Sequence, residues 1–345
     1  MMALDRFITA MPKAELHVHL EGSIRPETLL ELARRNRVPL RVSTLEELRA
    51  WYRFRDFDHF LEIYGLMSSS IRSTEDIEFV AREFLAGQAA QGIRYTELTY
   101  TPYTHYRSKG LGFREQLAAL NRARDWAEAK LGVSMRFVLD FARKASVEQA
   151  LTVADWAIGA MGDGVVALGL GGVEAGYSVE KFKAVFERVR TAGLARTPHA
   201  GETVGPESIW SVVRALDATR IGHGVRCLED PALVEQLRAR QIPLEVCPSS
   251  NVCLGVAPSL AAHPLPQLLD AGLFVTINSD DPPMFNTTLT GEYLALARAF
   301  NLDHDVIERL AFNALRAALL LPDEKARLEA DFTAAFAQLR ATLVV

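Results

Sequence analysis

Short runs rich in apolar and β-branched residues alternate along this chain with longer stretches whose apolar positions recur every three or four residues. Eight such runs read as strands: Ala14 to Leu20 (AELHVHL), Arg94 to Thr101 (RYTELTYT), Ser134 to Phe141 (SMRFVLDF), Val165 to Leu170 (VVALGL), Thr197 to Ala200 (TPHA), Arg220 to His223 (RIGH), Pro243 to Cys247 (PLEVC) and Leu273 to Asn278 (LFVTIN). The fifth and sixth are short and gain their meaning from their neighbours. Between the runs, segments such as Ser178 to Ala192 and Pro231 to Arg240 carry the apolar stripe of an amphipathic helix. Strand then helix, repeated eight times, predicts an α/β fold of the TIM (β/α)8 type, a closed parallel barrel. An open doubly wound sheet alternates in the same way, but its phosphate fingerprint is missing. After Gly169 and Gly171, Glu174 stands where the last glycine of GxGxxG belongs.

Two segments extend the barrel. From about Arg25 to Gly92 a helical insertion follows the first strand and carries Trp51, Tyr52, Phe54, Phe57, Phe60 and Tyr64. The spacing of Phe57, Phe60 and Tyr64 reads as core packing, with a lid over an aromatic ligand as the other reading. The tail after Phe285 is helix-rich and ends in AFAQLRATLVV. No Gly/Ser-rich or Pro-rich linker and no internal repeat divides residues 1–345, so a single domain is expected.

Composition narrows the function. A chain with 49% hydrophobic and 23% charged residues is expected to fold around a large core. The net charge is −5, with Lys and Arg scattered among Asp and Glu, which argues against nucleic acid and for a small, weakly charged substrate. The start, MMALDRFITAMPKAEL, lacks a basic stretch followed by an apolar core, and no uncharged apolar run reaches ~18 residues. Neither a secretion signal nor a membrane span is therefore expected, and the cytoplasm is the expected compartment. Cys227, Cys247 and Cys253 are odd in number and without CxxC spacing, so they read as small buried residues rather than as disulfides or a cysteine-rich metal centre.

The active site of such a barrel lies at the C-terminal ends of its strands. His17 and His19 end the first run two positions apart, so both imidazoles face the same way and can share one metal. His199 at the end of the fifth run and Asp280 just past the eighth add a nitrogen and a carboxylate oxygen. Three His and one Asp suit one Zn²⁺ per chain, with a coordination position left for water. Glu202, three residues after His199, can face into the site because Gly201 lets the chain turn, and His223 sits between two glycines that permit close approach. Their bland readings are a helix-capping Glu202 and a packed His223. Asp281, followed by Pro282, reads as the cap of a helix.

The segments HVHLEG, HAGE, RIGHG, EVCPSSN and NSDDP, in this order over most of the chain, resemble those of the adenosine deaminase family. That resemblance implies His17, His19, His199 and Asp280 as zinc ligands, with His19 also on the substrate side. It implies that Glu202 protonates purine N1 and that His223 orients or deprotonates the attacking water. Asp281 would hydrogen-bond N7, the Gly172 amide would meet N3, and Glu21 would occupy the position that contacts the ribose. The activity implied is hydrolytic removal of the 6-amino group of adenosine or an adenosine derivative, a small purine. Alternatives within the family are free adenine and 6-aminodeoxyfutalosine, an adenosine with a bulky 5′ extension used in menaquinone biosynthesis.

Glu21 replaces the Asp usual in adenosine-specific members, which weakens the case for plain adenosine. Thr101 to Arg107 (TPYTHYR) reads as a solvated loop, with contact of His105, Tyr106 and Arg107 to such an extension as the other reading. A cytidine-type deaminase is excluded because no HxE and no PCxxC occur. A two-metal barrel hydrolase would need a lysine after the fourth run, and Ala167 to Glu174 has none. A catalytically dead purine-binding barrel is disfavoured by the presence of every ligand together with Glu202 and His223.

Overall fold

The computed structural model describes residues 2–42, 44–53 and 57–343. Phe54 lies outside the described residues, as does the side chain of Phe57. Eight strands, β1 (Lys13–His19), β2 (Ile93–Tyr100), β3 (Ser134–Leu139), β4 (Val165–Leu170), β5 (Ala195–Ala200), β6 (Ile221–His223), β7 (Leu244–Val246) and β8 (Val275–Ile277), pair in sequence order. Every pairing is parallel. The ring closes between β8 and β1 through a parallel bridge of Val18 with Asp280. There the His19 amide donates to the Asp280 carbonyl (3.0 Å) and the Asp280 amide to the His17 carbonyl (3.1 Å). The Asn278 side chain extends this seam by accepting from the amides of Leu16 (2.9 Å) and His17 (3.1 Å). The architecture is the TIM barrel expected from the alternation.

The strand limits differ from the sequence reading in instructive places. β5 begins two residues earlier, at Ala195, while β7 and β8 shrink to three residues each. Pro248 opens a short helix after β7, and past β6 and β8 the chain turns through His223 (φ +63°) and Asp280 (φ +64°). Non-glycine residues in the left-handed region are uncommon and favour functional sites, so the barrel's upper rim is bent where candidate residues stand.

The helices begin and end where side chains satisfy their free backbone groups. Ser73 and Ser146 form capping boxes with Asp76 and Gln149, and Asp230 caps Pro231–Arg240. The N-terminal residues form a helix, Met2–Ala10, whose Phe7 meets Phe336 of the last helix, Pro322–Leu343, at 5.7 Å between ring centroids. Phe7 and Phe336 are buried, and each stabilises the fold by roughly 1.5–3 kcal/mol. Among the described residues no helix is long and apolar enough to cross a membrane. Cys227 and Cys247 are buried as expected, whereas Cys253, at the end of the helix Pro248–Cys253, is exposed.

The insertion comprises the helices Pro26–Asn36, Leu45–Tyr52, Phe57–Ser70 and Thr74–Ala90. Tyr52 is core, and its hydroxyl donates to the Ile24 carbonyl (2.9 Å). Trp51, Phe60 and Tyr64 pack partly buried against the core, but Phe60 and Tyr64 also line the large cavity at the strand ends. Core packing and cover over the cavity are thus the same residues.

The candidate active site

That cavity, of about 590 Å³, opens at the C-terminal ends of the strands. His19, Glu21, Gly172, His199, Glu202, His223, Asp280 and Asp281 line it, while His17 is buried beside it. All nine residues singled out in the sequence therefore meet in one place. Ring centroids of His17 and His19 lie 5.2 Å apart, and His199 lies 4.5 Å from His17. Asp280 Oδ1 is 3.5 Å from His17 Nε2 and 3.0 Å from His19 Nδ1.

The four side chains His17, His19, His199 and Asp280 each bring one donor atom within 4.8 Å of the others. The buried donors are also aimed. His17 Nδ1 is engaged by Glu245 Oε2 (2.9 Å) and His199 Nδ1 by the Leu170 carbonyl (2.9 Å), so each ring turns its Nε2 inward. His17 Nε2 has no hydrogen-bond partner there, a costly arrangement for a buried nitrogen unless a ligand takes it. This donor set fits a divalent ion of the zinc type. A second grouping, His223, Cys247 and Asp280, is less suited: burial pushes the Cys247 thiol well up, and its Sγ donates to the Glu245 carbonyl (3.5 Å).

Electrostatics sort these groups. Burial alone would lower His17, but the carboxylates of Asp280 and Glu245 outweigh it and push it up to about 9. The spot therefore attracts positive charge. His223, by contrast, is depressed by burial to about 4 and is a neutral imidazole at pH 7. Burial first, then the charges of Asp280 and Glu174, push Glu202 up to about 8. Burial and the adjacent Asp280 likewise raise Asp281 above the usual carboxylate range. The carboxyl of Glu202, which holds its proton at neutral pH, thus faces a cluster that collects cations.

Glu202 is no helix cap, since the next helix, Pro206–Ala215, starts from Gly205. Its Oε1 stands 3.6 Å from His223 Nε2. Gly201, at φ +67°, makes the turn required of it. What holds this loop went unread in the sequence: Glu174 accepts from the amides of Gly201 (2.6 Å), Val204 (2.8 Å) and Thr203 (2.9 Å) and from the Ser208 hydroxyl. Asp281 does not open a helix either. Its carbonyl accepts from Met284 (2.9 Å) and Phe285 (3.2 Å) in a turn, and the next helix begins at Leu289 with Thr288 as cap. Pro283 and the left-handed Asn286 keep this stretch from becoming helical. Gly22 makes room for Asp281, because a Cβ there would fall 1.6 Å from Asp281 Oδ1.

Below the cluster an ionic ladder crosses the barrel interior. Arg220 donates to Glu97 and, from Nε, to Glu245 Oε1 (2.5 Å), and Glu245 in turn holds His17. Arg220, Glu97 and Glu245 are all buried. Carboxylates behind metal-binding imidazoles fix the ring and raise its basicity, so Glu245→Gln is expected to weaken metal binding by about 10–100-fold. Competition with a chromogenic chelator measures this, and an unchanged affinity would separate the ladder from the metal.

Barrel, cavity and donor set define a hydrolase of the metal-dependent amidohydrolase superfamily. A sequence model of the adenosine deaminase family matches residues 12–334, and the chain belongs to that family of hydrolases acting on C–N bonds. It is 40% identical over 338 residues to the aminodeoxyfutalosine deaminase of Streptomyces avermitilis, covering 96% of this chain and 94% of the relative. It is 39% identical over 325 residues to the adenine deaminase of Crocosphaera subtropica, covering 94% of this chain and 99% of that one. Among solved structures, the adenine deaminase of Arthrobacter aurescens superposes with a TM-score of 0.88 at 35% identity, over 94% of this chain and 98% of its own.

Proposed function

We propose that this chain is a zinc-dependent deaminase of a 6-aminopurine with a large N9 substituent, with aminodeoxyfutalosine as the substrate that fits best. The observation that carries the choice is the cavity. Its 590 Å³ greatly exceeds a purine ring, and besides the cluster its lining includes Phe60, Leu61, Val173, Leu254 and Lys144. Leu61 and Val173 remain 46% and 41% exposed, an apolar rim that a ligand extending beyond the ribose would cover. The names of the relatives above support the two alternatives, aminodeoxyfutalosine and adenine, over the plain adenosine first expected. Free adenine is the second reading, favoured by the adenine deaminase relatives.

His17, His19, His199 and Asp280 are the residues that would hold the ion. When bound, zinc acts as a Lewis acid that brings the ionisation of water down to ~7. The protonated carboxyl of Glu202 donates to purine N1, which makes C6 open to attack by water. His223, neutral at pH 7, orients that water, accepts its proton and returns it to the departing ammonia. Asp281, whose carboxyl is raised above the usual range by burial and by Asp280, hydrogen-bonds N7, while the Gly172 amide donates to N3. His19 and Glu21 border the substrate.

The test is ammonia release, as kcat/KM, from aminodeoxyfutalosine, adenosine and adenine side by side. The 5′-extended substrate is expected to lead by ~100-fold or more, a difference of about 2.7 kcal/mol in transition-state binding. A lead for adenine would transfer the chain to the second reading.

A further inference from the structure

The segment Thr101 to Arg107 is not the solvated loop expected from its composition. Pro102–Lys109 is a helix, begun by Pro102 at its first position and stopped by Gly110 in the left-handed conformation. His105 on this helix is fully buried and stacks on Tyr100 at 5.5 Å and 9°. It touches no solvent and faces Glu21, while Tyr106 is 46% exposed.

His105 Nε2 lies 2.9 Å from Glu21 Oε1, and its Nδ1 lies 2.9 Å from Lys109 Nζ. Lys109 Nζ also donates to the Ser68 carbonyl. An ammonium group only donates, so His105 Nδ1 must accept. The ring proton then sits on Nε2 and is donated to Glu21 Oε1. One end of the chain thus sets the polarity of the other. Glu21 Oε2 is left buried without a hydrogen-bond partner, in a residue that lines the cavity and is 1% exposed. A buried acceptor of this kind is costly alone and calls for a donor from the ligand.

We propose that Lys109, His105 and Glu21 form a relay of fixed polarity that holds the Glu21 carboxylate as an acceptor for a 2′- or 3′-hydroxyl of the substrate's sugar, with His105 and Lys109 as positioning residues for substrate selection. The inference rests on the N9-substituted substrate of the preceding section. The location agrees with it. Glu21, in the turn after β1, lines the cavity together with Thr101 and Asp140, which follow β2 and β3. Thr101 donates to Asp140 there (2.5 Å), so this wall is polar and suited to a polyol rather than to a ring face.

The discriminating measurement is the ratio of kcat/KM for adenosine to that for 2′,3′-dideoxyadenosine, in the parent and in His105→Phe and Lys109→Met, with aminodeoxyfutalosine and adenine assayed alongside. Phe keeps the stacking on Tyr100 while removing the donor. Lys109 is only partly buried, so Lys109→Met tests the relay where folding is least at risk. The expected result is a ratio that falls about 10-fold or more in His105→Phe and by at least roughly threefold in Lys109→Met, mainly through KM. Equal losses on both nucleosides, or an unchanged ratio, would overturn the relay while leaving deamination of nucleosides intact. A parent enzyme that turns over adenine and no nucleoside would overturn the substrate reading itself, and the relay with it.

Discussion

Glu202→Gln is expected to fold as the parent does and to lose about 10³-fold in kcat, in the middle of the range for a general acid. Gln keeps the shape of the side chain but has no proton to give to N1. The pH profile sharpens this expectation. Burial and the charges of Asp280 and Glu174 raise Glu202 to about 8. Below that value the carboxyl keeps the proton the reaction consumes; above it the group ionises, and kcat/KM falls up to tenfold per pH unit. A cation beside Asp280 offsets one of the charges that raise Glu202, so the alkaline limb falls at or below about 8. Stopped assays of ammonia release from pH 5.5 to 9.5 check both points. A Gln variant that retains parental kcat and the same limb would remove Glu202 from the chemistry.

Asp280→Asn is expected to leave the barrel intact and to lose metal and activity together, with kcat/KM down roughly 10³-fold or more. Asn tolerates the left-handed backbone at φ +64°, so the bridge to Val18 survives. The charge does not. Asp280 is the carboxylate within reach of His17, His19 and His223. Burial opposes its ionisation, but the close imidazoles of His17 and His19 outweigh that and hold it well below the usual carboxylate range. Without it the imidazoles lose the anion that makes the cluster attract a cation. Metal content by plasma mass spectrometry and circular dichroism on the same sample separate this outcome from misfolding. A variant with a full complement of metal would contradict the assignment of Asp280.

The barrel was legible in the sequence because strands covered on both faces read as dense apolar runs and their covering helices as stripes, two periods that are hard to confuse. The candidate cluster was legible for a related reason: His17 and His19 interrupt an apolar strand at its end with the spacing that puts both on one face. The supports of the site were harder to see. Glu97, Arg220 and Glu245 stand within or beside apolar strands, where an isolated charge is prohibitively costly, so the three together are a signal of a buried ionic network. Which charge meets which depends on barrel closure, which places β2, β6 and β7 around one interior. Glu174 stood out only for the glycine it displaces, although its work is to hold the loop that presents Glu202. The helix at Pro102–Lys109 had its signals too, a first-position proline and a terminating glycine, but eight residues are too few for periodicity to outweigh their polarity. Asp281–Pro282 shows the reverse error, since Pro283 follows and denies the helix that the cap suggested.

The most direct test is a zinc titration of chelator-stripped protein with ammonia release from aminodeoxyfutalosine as the readout. The account predicts no activity in the stripped protein and a linear rise that breaks at one equivalent of zinc per chain. Activity without added metal, or a break at two equivalents, would contradict a single metal centre built from His17, His19, His199 and Asp280.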